Sequence, residues 1–155
     1  MIFFGQNVSS AAQLRSAVAT LRSAQQASPV HQPLLLMTDQ EGGIVRRVPG
    51  APLQSAKEIG ATGDPAQAAA AGSAAGVNLR GLGLNLNLAP VLDVYHSPGD
   101  FADSAQRSFS SDPATVASMG SAFIRAQQQA GAAATAKHFR GWARRAAPRT
   151  PTWSR

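Results

Sequence analysis

Three places in this 155-residue chain set charged or polar side chains directly behind an apolar run. Asp39 and Glu41 follow Leu34-Leu35-Leu36-Met37-Thr38, Asp93 follows the run from Leu84 to Val91, and Lys137 with His138 follows Ala132 to Ala136. A carboxylate accepts several hydrogen bonds at once, while a lysine donates them or offers an amine to a carbonyl carbon. If these strand ends share one face, the three polar groups converge on one rim, where such groups could meet a ligand. Lys137 and His138 are the most informative pair, because adjacent residues at a strand end point differently and still reach the same rim.

Other chemistries are excluded by what the chain lacks. It has no cysteine, so thiolate nucleophiles, disulfide frameworks and cysteine-based zinc sites do not arise. His31 and His96 have no ligand-like spacing and read as ordinary loop residues, so no metal is expected; an organic cofactor is not expected either. Gly42-Gly43 lacks the longer glycine spacing and the Lys-Ser/Thr of a phosphate loop, and reads as a tight turn.

The elements that must position these residues alternate. Ile2 to Phe4 reads as a strand ended by Gly5, and Leu14, Val18 and Leu21 mark a helix beginning near Ser10. Leu34 to Thr38 has the length and continuous apolarity of a strand covered on both faces. Asp64-Pro65 opens an Ala-rich helix that Gly81 and Gly83 end, because Asp caps free N–H groups and Pro suits the first helical position. Leu84 to Val91 is the next strand. Asp112-Pro113 opens a helix carrying Val116, Met119, Phe123 and Ile124 on one face, and Ala132 to Ala136 is the last strand.

Four strand–helix units in a row predict an α/β fold with a parallel sheet. In a (β/α)8 barrel the C-terminal strand ends share one rim, which would bring the three polar groups together. An open doubly wound sheet also places ligand groups at strand ends, so periodicity alone leaves both architectures open. Four units would be the first half of a barrel.

These polar groups also sit in recognisable motifs. Asp39-Gln40-Glu41-Gly42-Gly43 with Val45 and Arg47, then Asn87-Leu88-Ala89-Pro90-Val91-Leu92-Asp93-Val94, then Arg107-Ser108-Phe109 with Asp112-Pro113, and lastly Lys137-His138-Phe139, resemble four successive motifs of family 3 glycoside hydrolases in order and spacing. The Arg-Ser-Phe-Ser-Ser-Asp-Pro form and the Lys-His-Phe ending are more similar to the β-N-acetylhexosaminidase branch than to the β-glucosidase branch. The resemblance covers residues 1 to about 139.

It implies a partial (β/α)8 barrel in which Asp39, Arg47, Arg107, Lys137 and His138 bind the non-reducing terminal sugar of a glycan, with Asp93 in support. The residue types suit that task, since charge-assisted hydrogen bonds to hydroxyl and acetamido oxygens are roughly twice as strong as neutral ones. The family is retaining, using a carboxylate nucleophile and a separate acid/base. In the resembling branch, Lys-His-Phe is followed by Pro-Gly, then by an Asp-x-His pair on a mobile loop as acid/base, and the nucleophilic Asp comes from a later strand. Here Arg140-Gly141-Trp142 follows instead, and no acid occurs after Asp112. The catalytic pair is therefore not identifiable in this chain, which is expected to be inactive by itself.

The net charge of +6 belongs to the end of the chain. Residues 1–139 hold nine Lys or Arg against eight Asp or Glu, a balance of +1, whereas residues 140–155 hold five arginines and no acid. That Arg/Pro-rich tail resembles the product of a reading-frame change in GC-rich coding sequence and is expected to be non-native and unstructured. The opening apolar run is too short for a signal h-region or a membrane span, so neither membrane association nor export is expected, and a cytoplasmic location is the default.

Three other functions compete. Lys137 at a strand end suits a Schiff-base aldolase, the basic tail suits nucleic acid, and a half-site suits non-catalytic carbohydrate binding. The tail interleaves few aromatics and carries no helical period, so nucleic acid is not an expected partner. The expected partner is an N-acetylglucosamine-containing glycan, peptidoglycan-derived or chitin-like.

Overall fold

The computed structural model describes residues 1–139 and Gly141. The expected domain 1–139 falls within these residues; the expectation of an unstructured tail falls almost wholly outside them. Four short strands, β1 (Ile2–Phe3), β2 (Met37–Thr38), β5 (Leu86–Asn87) and β6 (Ala133–Ala134), pair in that order, all parallel. Between them run helices α1 (Ala11–Gln26), α3 (Pro65–Gly81) and α5 (Pro113–Gln129). Strand order follows chain order without the reversal that defines a doubly wound sheet, so the architecture is an open arc of a barrel.

The strands are shorter than the apolar runs predict. Leu36, expected inside a strand, instead donates its N–H to the Asn85 side-chain oxygen at 2.8 Å, and the ladder takes over from that point. The expectation of cover on both sheet faces is also corrected. Phe3, Thr38 and Asn87 stand in register on one face and are buried beneath helices, but the alternate row is open: Ile2 is 42% exposed and Leu35 is 56% exposed. Side chains alternate along a strand, and only one of the two faces has helices over it.

The helices form where their caps dictate. The Ser10 hydroxyl accepts the Gln13 N–H, Asp64 accepts that of Ala66, and Asp112 accepts those of Ala114 and Thr115. Pro65 and Pro113 occupy first-turn positions whose N–H groups would have no intrahelical partner anyway. Two apolar clusters result. Leu14 and Val18 of α1 pack with Phe3, Leu36 and Leu79, while Ala68, Ala71 and Ala75 of α3 pack with Val116, Met119 and Phe123 of α5.

Alanine and glycine on α3 let α5 approach closely. A Cβ at Gly72 would lie 2.2 Å from the Phe123 carbonyl oxygen, so no larger residue fits without moving a backbone. Ile124, expected on the buried face of α5, is only half-buried. Gln127 is fully buried there instead, donating to the Ala133 carbonyl at 2.9 Å and accepting from the Asn87 side chain at 2.8 Å.

Besides a 3-10 turn at Gly5–Asn7, four elements lie outside the sequence expectations. The turn at Gly42-Gly43 belongs to an antiparallel pair, β3 (Gln40–Gly42) with β4 (Val45–Arg46). Both glycines have positive φ, 112° and 55°, and a Cβ at Gly42 would strike the Gln54 carbonyl at 2.1 Å. Helix α2 (Ala56–Ala61) opens on a reciprocal cap between Ser55 and Glu58. The fourth helix of the arc, α4 (Phe101–Ser104), is a single turn within the long connection after β5. No helix among the described residues is long and apolar enough to cross a membrane.

Candidate functional site

The C-terminal ends of β2, β5 and β6 converge. Directly after β2, Asp39 accepts a hydrogen bond from Lys137 Nζ at 2.6 Å, although 98 positions separate them. Lys137 lies just beyond β6 and forms an isolated parallel bridge with Val91, which aligns the two connections. Its Nζ also touches Glu41 Oε1 at 2.6 Å, so one ammonium joins two carboxylates.

Glu41 joins a second cation to this group. Arg107 donates from Nε to Oε2 and from a terminal nitrogen to Oε1, both at 2.8 Å, giving the bidentate fork that guanidinium and carboxylate geometry favours. These hydrogen bonds hold the Arg107 guanidinium above its ordinary basicity, helped by the charges of Glu41, Asp39 and Asp93 and opposed by burial. The fields of all three carboxylates meet at Arg107.

His138 and Asp93 form the adjoining pair, with Nδ1 2.7 Å from Asp93 Oδ2. An ionised carboxylate only accepts, so this contact places the ring proton on Nδ1. Asp93 is 4% exposed, and the Ser108 hydroxyl donates to its carbonyl at 2.5 Å, tying the residue after Arg107 back to the end of β5. The Lys137–His138 peptide bond is cis.

Asp39, Asp93, Arg107, Lys137 and His138 thus stand together, as the sequence predicts for a barrel rim. Arg47 stands apart from them. Its backbone N–H donates to the Asp39 carbonyl at 3.2 Å, but its side chain is exposed and lies along a groove lined by Phe4, Gly5 and Gln6, at the end of β1. It occupies the same rim, one strand away from the ion-paired group. His31 is exposed in the connection before β2, and the His96 N–H donates to Asp100 in the connection after β5.

Sequence reasoning missed the central role of Glu41. It is 6% exposed with both oxygens engaged, so it braces the two cations from beneath and does not reach outwards. The signal was present in its position two residues after Asp39, since alternation along an extended segment puts both on one side.

The surface so built carries hydrogen-bond acceptors on Asp39 and donors on Lys137, Arg107 and His138 within one small rim. Such a set suits a polar ligand that both donates and accepts hydrogen bonds.

Known proteins resemble this chain over most of its length. A secreted glycosyl hydrolase of Arthroderma benhamiae, not further characterised, is 44% identical over 144 residues, covering 91% of this chain and 40% of its own. A β-hexosaminidase of Pseudomonas aeruginosa is 36% identical over 148 residues, covering 92% of this chain and 42% of its own. Among solved structures, a glycoside hydrolase family 3 β-N-acetylglucosaminidase from Paenibacillus sp. str. FPU-7 superposes with a TM-score of 0.85 at 38% identity, over 92% of this chain and 27% of that one. The chain spans about two-fifths of the length of these curated relatives. Residues 1–148 match the model of the glycosyl hydrolase family 3 N-terminal domain, and the chain belongs to that family.

Proposed function

We propose that the rim of residues 1–139 is the sugar-gripping part of a β-N-acetylhexosaminidase site, which takes the non-reducing terminal N-acetylhexosamine of a glycan. Glycans built on N-acetylglucosamine, peptidoglycan-derived or chitin-like, are its substrate class. The observation that carries this reading is the Lys137 ammonium held 2.6 Å from both Asp39 and Glu41, beside His138. The names of the similar proteins, β-hexosaminidase and β-N-acetylglucosaminidase, support the choice of sugar.

Asp39 accepts from sugar hydroxyls, Arg107 and Lys137 donate to hydroxyl and acetamido oxygens, and His138 is oriented by Asp93. Arg47 contributes from the β1 side of the rim. In a retaining glycosidase one carboxylate attacks the anomeric carbon and another protonates the leaving oxygen. Glu41 is too enclosed for either task, Asp93 faces His138 and Asp39 is paired with Lys137. The described residues therefore serve binding, and the chain by itself is expected to hold the sugar without cleaving it.

Calorimetric titration with N-acetylglucosamine tests the binding. Binding that weakens at least about tenfold in Asp39→Asn and Lys137→Met supports the assignment; no binding by the unaltered chain refutes it. Steady release of 4-nitrophenol from a 4-nitrophenyl N-acetylglucosaminide by the purified chain would overturn the statement about cleavage.

A Schiff-base aldolase fits less well. An amine nucleophile is activated by apolar or cationic surroundings, whereas Lys137 has two carboxylates against its Nζ. Borohydride reduction in the presence of a keto substrate should leave Lys137 unmodified.

A further inference from the structure

We propose that Lys57 of α2 and Asp103 of α4 form a latch that positions Arg107 on Glu41, and so shapes the acceptor and donor pattern of the rim. The proposal rests on the sugar-binding reading only for its consequence, since the latch itself is a statement about Arg107.

Arg107 sits at the end of the long connection that leaves β5, with only short helical structure of its own to fix it. Two contacts from one residue hold that connection just ahead of Arg107. The Lys57 backbone N–H donates to the Gln106 carbonyl at 3.2 Å, and Lys57 Nζ forms an ion pair with Asp103 Oδ1. Gln106 has φ 55°, a left-handed conformation that residues with a Cβ rarely adopt, so its backbone requires such restraint.

The other contacts around the latch are of the same sense. The Asp103 side chain is 5% exposed, and its second oxygen accepts the Gly99 N–H at 2.7 Å. Asp100 accepts the backbone N–H groups of His96 and Asp103 and so folds the connection on itself. The Lys57 ammonium stands 5.6 Å from the centre of the Tyr95 ring, a cation–π distance. Just beyond Arg107, the backbone runs so close to α2 that a Cβ at Gly60 would lie 1.7 Å from the Phe109 carbonyl.

The segment that leads into α2 also anchors the opposite partner. Gly43 donates its N–H to the Leu53 carbonyl at 3.0 Å, and the Gly42-Gly43 turn packs against Gln54 and Ser55 immediately ahead of α2. Glu41 and Arg107 are thus referred to one segment, the former to the residues leading into α2 and the latter to α2 itself. A bidentate pair tolerates little displacement, so releasing one side loosens the fork.

The test follows the Arg107 Nε–H in the full 155-residue chain by nitrogen-15 NMR, with the resonance assigned by its loss in Arg107→Lys. In Lys57→Met, and separately in the isosteric Asp103→Asn, exchange of that proton with water is expected to accelerate at least about tenfold while core amides of α3 and α5 keep their protection. Lys57→Arg is expected to restore slow exchange. Affinity for N-acetylglucosamine is expected to fall in parallel. Unchanged Arg107 exchange in both variants overturns the latch, as does acceleration that extends to the core amides. A chain that binds no N-acetylglucosamine in any form sinks the sugar reading, while the Arg107 exchange rate still decides the latch.

Discussion

Arg107 closes its fork on Glu41 with two hydrogen bonds of 2.8 Å across 66 positions of sequence. The pair is mostly enclosed, with side-chain exposures of 18% and 5%, so solvent does little to replace either partner. Removing the charge from Glu41 leaves Arg107 and Lys137 with one carboxylate fewer between them. Glu41→Gln is expected to lower stability by about 3 kcal/mol. A shift of the urea midpoint at constant slope would register the loss, and an unmoved midpoint would show that the pair contributes nothing net.

Lys137→Met removes the ammonium that Asp39 and Glu41 share. The methionine retains the length of the stem but donates nothing. Affinity for N-acetylglucosamine should fall by about tenfold to a hundredfold, the worth of one or two hydrogen bonds to a charged group. Titration calorimetry of the variant beside the unaltered chain reads this directly.

Acidity should release the connection that carries Arg107. Hydrogen bonds from Lys57 and from the Gly99 N–H, with the charge of Lys57, hold the Asp103 carboxyl below its ordinary value, against burial and the charge of Asp100. The folded state therefore binds the proton less readily than the unfolded state. The stability so conferred is present above the ordinary aspartate pKa of about 4 and is lost as pH falls below it. Asp112 and Glu58 are lowered in the same direction by their caps, so the acid slope should diminish in Asp103→Asn without vanishing. Lys57 is raised, chiefly by its hydrogen bond to Asp103, and its contribution is complete below its ordinary value of 10.5 and lost as pH rises past it. Urea midpoints measured from about pH 2.5 to about 7, across the usual carboxylate range of roughly 3 to 5, would trace the acid limb.

The contact of α3 with α5 should resist even one added methyl group. Gly72→Ala forces a Cβ against the Phe123 carbonyl and is expected to cost about 1–3 kcal/mol, despite alanine's better helix propensity. Gly81→Ala on the same helix meets nothing within 4 Å and serves as the control. Thermal unfolding of the two variants should separate them by several degrees.

Much of the arc was legible because its signals are local. Asp64-Pro65 and Asp112-Pro113 announce helix starts within two residues, and the apolar runs ending on Asp39, Asp93 and Lys137 announce strands that point at a rim. What was not legible depends on partners far along the chain. Glu41 becomes a buried brace only because Arg107 and Lys137 arrive 66 and 96 positions later, and Gln127 is an interior residue only because Asn87 and Ala133 meet it. Helix α2 escaped notice since six residues with one isoleucine make too little apolar period, although Ser55 and Glu58 spell its cap. The overestimated strand lengths have a related cause. Apolar runs measure burial, and at Leu36 burial extends beyond the ladder.

The neighbour order of the four parallel strands is the order in which they are synthesised. Each described strand after β1 leaves the ribosome with its partner already made and the intervening helix available to cover the new seam. Nascent-chain folding can therefore advance unit by unit from the N-terminus, with the ion-paired rim completed last, when Lys137 emerges to meet Asp39 and Glu41.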